Sequence, residues 1–81
     1  MSLETLKEAD VVIGIKQVTK AVKRGLTSEV FIAEDADERV ISPLKSLCDE
    51  NNIAVTQVST MKELGKACSI EVGAAAVAVL G

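Results

Sequence analysis

The chain is 81 residues long, with nine basic and twelve acidic side chains, a formal net charge of −3 and 48% apolar residues. That is enough apolar material for one small core and too much for a disordered chain, while the negative balance denies the molecule the long-range field of an indiscriminate nucleic-acid binder. Histidine, tryptophan and tyrosine are absent and Phe31 is the single aromatic, which removes the commonest general base and metal ligand and the stacking platforms of single-strand RNA binders.

In chain order, Leu3, Leu6, Lys7 and Ala9 suggest a short amphipathic helix, and Val11-Val12-Ile13 reads as a short strand ending at Gly14. A basic helix follows and stops at Gly25. Val30 to Ala33 reads as a buried strand, and Glu34-Asp35-Ala36-Asp37-Glu38 as an acidic turn. The next helix is expected in two pieces, a turn from Glu38 to Ile41 and then a helix with Ser42 as cap and Pro43 at its first position, running to Asn51-Asn52. Ile53 to Val58 forms a third strand. Ser59 or Thr60 caps a helix carrying Met61, Leu64 and Ala67, and Ala74 to Leu80 is the fourth strand, the most buried by composition.

Strands that alternate with helices and lack polar alternation indicate a sheet covered on both faces: α/β class, a three-layer α/β/α sandwich in one domain, 1–81. No repeat, linker or low-complexity segment interrupts it. Cys48 and Cys68 are too far apart for a CxxC unit and have no histidine or further cysteine to complete a zinc site, so both read as small apolar core residues. The first residues lack the basic region and apolar run of a secretory signal. The tail from Ala74 falls short of the roughly 20 apolar residues that span a bilayer. A cytoplasmic, non-membrane protein is expected, with no cofactor, no metal and no enzymatic activity.

The segment from Gly14 to Gly25 carries the strongest functional signal. It holds Lys16, Lys20, Lys23 and Arg24, four of the nine basic residues, and no acid falls between residues 11 and 28. At about 100° per residue those four side chains and Gln17 share one arc, opposite Ile15, Val18, Ala21 and Val22. Lys16 in the first turn conflicts with the helix dipole, and an external anion would resolve the conflict. Neither a G-x-x-x-x-G-K-[ST] loop nor a G-x-G-x-x-G fingerprint is present, so a bound nucleotide is not favoured. In Leu64 to Gly73, Ile70 and Val72 flank Glu71 either as the start of a strand or, on a loop, as an apolar contact surface. The acidic run 34–38 reads as turn and cap chemistry.

Taken together, Gly14-Ile15-Lys16-Gln17-Val18-Thr19-Lys20, Ala33-Glu34-Asp35-Ala36-Asp37, and Leu64-Gly65-Lys66-Ala67 with Ile70-Glu71-Val72 make the chain resemble the kink-turn RNA-binding ribosomal protein family, of the archaeal L-seven-Ae type, and most of all its short bacterial YbxF-like members. The resemblance covers nearly the whole chain. It implies a mixed four-stranded sheet and the recognition of kinked duplexes at tandem sheared G·A pairs, on a ribosome or a regulatory RNA, by a monomer. It further implies that Gly14, Lys16, Gln17 and Lys20 approach the guanine edges and backbone of those pairs, with Arg24 on phosphate, and that Ile70, Glu71 and Val72 pack on bases at the kink. Lysine and glutamine can donate to guanine O6 and N7, and a kink opens a groove otherwise too narrow to read. Archaeal members typically carry Asn-Glu where this chain has Lys16-Gln17, and Ser69 and Gly73 stand where relatives often have glycine and alanine. The alternative function is a protein interaction module of a ribonucleoprotein assembly.

Overall fold

Residue 6 and residues 9–80 are described in a computed structural model. Apolar and β-branched residues dominate four strands, β1 (Val11–Ile13), β2 (Thr27–Ala33), β3 (Ala54–Val58) and β4 (Ala76–Leu80), which form one sheet in the order β1-β4-β2-β3. β4 runs antiparallel to both neighbours, with Ile13 and Phe31 paired to Val77, whereas β2 and β3 are parallel, with Ala33 paired to Val58. The sheet is therefore mixed. Three helices cover it: α1 (Ile15–Lys23), α2 (Glu38–Glu50) and α3 (Met61–Ala67).

Alternation along each strand sorts the core into two layers. Val30, Ile32, Ala76 and Ala78 face α1 and α2, packing on Val18, Ala21, Val22, Ile41, Leu44 and Cys48. Phe31, Ala33 and Val77 face the other way, onto Leu64 of α3 and Leu6. Over Val30 to Ala33 of β2 and Ala76 to Ala78 of β4 both faces of the sheet are dry, each of these residues being fully buried. The α/β/α sandwich is thus formed as expected. Most of the expected N-terminal helix lies outside the described residues; Leu6, within them, is buried and accepts a hydrogen bond from the Ala9 amide at 3.2 Å. No helix among the described residues is long and apolar enough to cross a membrane.

Several boundaries differ from the sequence reading. α2 is one helix, not two pieces. Asp37 caps it, accepting from the Arg39 amide at 2.9 Å and from the Arg39 guanidinium at 3.0 Å, which holds the Asp37 carboxyl below the usual carboxylate range. Pro43 lies inside the helix, and the carbonyl that loses its partner belongs to Arg39, which is exposed. One continuous helix keeps Ile41, Leu44 and Cys48 on a single buried stripe, and that burial outweighs one lost bond. β2 begins at Thr27 rather than Val30, hidden from the apolar pattern by Thr27, Ser28 and Glu29; the buried Thr27 hydroxyl donates to the Glu29 carbonyl at 2.9 Å. β3 begins at Ala54 because the Ile53 amide closes α2 on the Cys48 carbonyl, and β4 begins at Ala76 because the Ala74 amide is taken by the Met61 carbonyl. Cys48 is buried but Cys68 only partly, and burial pushes both thiols up, away from reactive thiolate.

All three helices end alike, with a residue in the left-handed region and paired bonds back to the last turn. After α1 it is Gly25 (φ 68°), with Leu26 N–H on Ala21 and Gly25 N–H on Val22. After α2 it is Asn52 (φ 57°), and after α3 it is Ser69 (φ 62°), with Ile70 N–H on Gly65 and Ser69 N–H on Lys66. Serine there is the costly choice. The left-handed region costs a residue with a Cβ about 1–2 kcal/mol, and glycine returns about 0.4–1 kcal/mol of that through unfolded-chain entropy. Ser69→Gly is expected to stabilise the protein by roughly 0.5–1 kcal/mol, read as a higher midpoint in urea unfolding with unchanged slope.

Candidate functional site

The C-terminal ends of β1, β2 and β3 and the start of β4 meet at one end of the sheet. The junction of β1 and α1 is there, beside the turn 34–37, the start of α3 and the loop 68–75. Gly14 makes the junction. Its φ of 102° is open to glycine and strained for other residues, and a Cβ built on it would meet nothing within 4 Å, so backbone conformation rather than crowding calls for glycine. Its N–H donates to the Ala76 carbonyl at 2.8 Å and its carbonyl accepts from Val18 at 2.9 Å. One residue thus ties the start of α1 to the end of the loop 68–75.

No side chain caps α1 and no acid stands in its first turn, so the free amides of that turn lie open beside the exposed Lys16 and Gln17. Lys20, Lys23 and Arg24 are exposed further along. Gln17, Lys20 and Arg24 rim a hollow of about 190 Å³ floored by Val12, Ala21, Leu26 and Leu80. Arg24 terminates α1, so it stands about 15 Å along the axis from Gly14. Gly14, Lys16 and Gln17 are therefore grouped toward the loop, whereas Lys20 stands nearer Arg24, with which it shares the hollow, along the same stripe.

Ile70, Glu71 and Val72 lie on a loop, which settles the open choice against a strand start. Ile70 packs partly against the Phe31 layer, whereas Glu71 is exposed and Val72 is 70% exposed. The loop is held at both ends. Ile70 N–H bonds to Gly65, Ala74 N–H to Met61 at 3.0 Å, and the Ala75 carbonyl accepts from Ala33 at 2.9 Å. α3 is itself pinned, with Thr60 accepting from Glu63 at 3.0 Å and the Asp35 carboxylate accepting from Met61 N–H at 2.7 Å. The acidic run thus does the turn and cap work expected of it, through Asp35 on α3 and Asp37 on α2.

The structure gives two supporting features a role that the sequence pattern does not. Gly65 is buried mid-helix, and a Cβ there would overlap the Val72 carbonyl. Its missing side chain lets the loop lie on α3; a glycine inside a helical pattern was the available signal. Lys62 and Lys66 of α3, with Ile70, Glu71 and Val72, line an open hollow of about 270 Å³. Only a three-dimensional neighbourhood could connect them.

The α/β/α domain thus presents an uncapped basic helix start beside a braced, partly apolar loop at one sheet end, and free helix amides with nearby lysines are chemically suited to an anion. The chain belongs to the ribosomal protein L7Ae/L30e/S12e/Gadd45 family, whose model matches residues 2–81. It is 51% identical over 81 residues to the RNA-binding protein YbxF of Geobacillus stearothermophilus, and 49% identical to an RNA-binding protein of Geobacillus thermodenitrificans, with 99% of each chain covered in both cases. Among solved structures, it superposes with a TM-score of 0.89 and 25% identity on the 15.5 kD RNA-binding protein of Giardia lamblia, over 98% of this chain and 70% of that one. A protein of unknown function from Bacillus halodurans gives a TM-score of 0.88 at 26% identity, with 98% and 83% covered.

The brace on the loop yields a sign that propensity alone gets wrong. Alanine gains about 1 kcal/mol over glycine in a helix interior, but overpacking against backbone costs about 1–3 kcal/mol. Gly65→Ala is therefore expected to destabilise, and amide hydrogen exchange should show the greatest loss of protection at Ile70 and Ala74, whose bonds to α3 hold the two ends of the segment lying over Gly65.

Proposed function

We propose that the protein is a non-enzymatic RNA-binding protein that recognises kink-turns through their tandem sheared G·A pairs. The observation that carries this reading is the hydrogen-bonded junction of Gly14 with Ala76, which sets the uncapped start of α1 beside the loop bearing Ile70, Glu71 and Val72. Helix amides and lysine ammonium groups suit phosphate oxygens and the O6 and N7 acceptors of guanine, and Val72 offers an apolar surface to an unstacked base. With no aromatic platform, recognition falls to a folded RNA shape, phosphates fixing position and a few edge contacts fixing identity. The printed names of the relatives from Geobacillus and Giardia, each an RNA-binding protein, support the ligand class.

In this reading Gly14, Lys16, Gln17 and Lys20 face the G·A pairs, Arg24 takes a flanking phosphate, and Ile70, Glu71 and Val72 pack on bases at the kink. The protein acts as a monomer in the cytoplasm, on a ribosome or a regulatory RNA. Because binding favours the bent form, it biases the RNA toward that form without chemistry. In a titration of kink-turn RNA, Lys20→Ala is expected to cost about 1–3 kcal/mol if the lysine reads a base edge, and wild-type protein is expected to bind far more weakly when the G·A pairs become Watson–Crick pairs. Equal affinity for the two RNAs would sink the reading. Cosedimentation with ribosomal particles before and after nuclease treatment tests the ribosomal setting.

A further inference from the structure

The hollow lined by Lys62, Lys66, Ile70, Glu71 and Val72 lies across the sheet from the basic helix. α1 packs on the Val30 and Ile32 layer, whereas α3, which carries both lysines, packs on the Phe31 and Val77 layer. The loop 68–75 passes over the sheet end between them. Lys62 and Lys66 stand one turn apart on one exposed stripe, and among the described residues neither ammonium group is engaged in a hydrogen bond or an ion pair. Lys62 stands in the first turn of α3, beside the exposed Glu63, at the same end of the sheet as Lys16 of α1.

We infer that Lys62 and Lys66 form a second phosphate-binding face, which takes the RNA backbone of the helical arm that leaves the kink on the α3 side. This rests on the proposed kink-turn reading of α1 and the loop, and it extends that interface around the sheet end. A straight duplex lying along α1 would leave α3 untouched; a sharply bent one straddles the loop and presents a backbone to each face. The hollow carries two positive groups and one carboxylate, so it is polar in direction as well as in charge. The lysines suit phosphate oxygens, and Glu71 suits the amino group of a base beside the loop. Three other hollows differ: that beside β3 carries Lys45 against Asp49, that between α1 and α2 has Lys23 as its sole charge, and that rimmed by Lys20 and Arg24 has no carboxylate.

The test compares wild-type protein, the Lys62→Gln/Lys66→Gln double variant and Lys20→Ala, each titrated by fluorescence anisotropy across a salt series. The probes are a kink-turn RNA with both arms intact and two RNAs, each with one arm trimmed near the kink. Both lysines are exposed, so the double variant should melt with the wild type. Its affinity for the intact RNA is expected to fall about fivefold at low salt, and the slope of log affinity on log salt to flatten by between about 1 and 2. Trimming one particular arm should abolish this difference while leaving the effect of Lys20→Ala in place. Wild-type affinity and slope in the double variant overturn the inference, and so does an equal loss on both trimmed RNAs, the mark of a diffuse charge effect. If the wild type does not distinguish the kinked RNA from its Watson–Crick control, the α1 reading fails first and this face falls with it.

Discussion

The direction of β4 is the constraint on which the rest depends. β1, β2 and β3 run one way and β4 runs against them, hydrogen-bonded on both sides to β1 and β2. Three strands therefore deliver their C-terminal ends, and the fourth its start, to one edge of the molecule. Were β4 parallel, the loop 68–75 would begin its strand at the opposite edge, far from Gly14. Antiparallel pairing makes Ala76 the neighbour of Gly14 and turns two segments some 55 residues apart into one surface. The alanines at 76 and 78 belong to the same constraint, since β4 is flanked by strands and covered on both faces, and small side chains let α1 close over it.

The surface is built from two kinds of residue. Gly65, Asp35, Thr60 and the carbonyl of Met61 fix where the loop lies, by bonds made to α3 or to the turn at 34–37. Glu71 and Val72 make no use of that frame for packing and stay exposed. A loop ordered from outside rather than by its own side chains keeps those side chains free for a ligand, and the entropy of ordering it is met before binding. Ser69 is the exception within the frame. It holds a left-handed conformation at a cost that glycine would avoid, and nothing in the structure explains the choice.

What was legible in the sequence followed from burial. Val11 to Ile13, the basic helix between Gly14 and Gly25, and the alanine-rich last strand could each be read because apolar spacing and terminal glycines are local signals. The errors share a cause. Local propensity sets a helix start at Ser42-Pro43, but the stripe of Ile41, Leu44 and Cys48 against the sheet decides for one helix, and no local rule weighs that burial. Thr27 to Glu29 fall outside the apolar pattern because their strand bonds involve backbone and their side chains are polar. Ile70 to Val72 could not be assigned from alternation alone, since an alternating triplet fits a strand and a loop equally well. Of the site, the basic half is visible as charge and Asp35, Gly65 and Lys66 as members of motifs; the bond from Met61 to Asp35, the seat of Val72 on Gly65 and the hollow of Lys62 and Lys66 are not, because they are contacts between segments.

The remaining question is how an acidic protein of net charge −3 holds a polyanion. At physiological salt the screening length is about 8 Å, and the stripe from Lys16 to Arg24 is about 12 Å long, so a ligand on α1 feels mainly the charges within a turn of it. The acidic turn shares that sheet end. All four of its carboxylates are exposed; Asp35 and Asp37 accept hydrogen bonds from the Met61 amide and from Arg39. Under the proposed reading these carboxylates are part of the selectivity. A flexible polyanion that spread over the sheet end would meet them and lose what the lysines supply, whereas an RNA already bent to seat its phosphates on α1 can keep clear of them. Attraction placed on a helix and repulsion placed beside it discriminate by shape, which a uniformly basic surface cannot do.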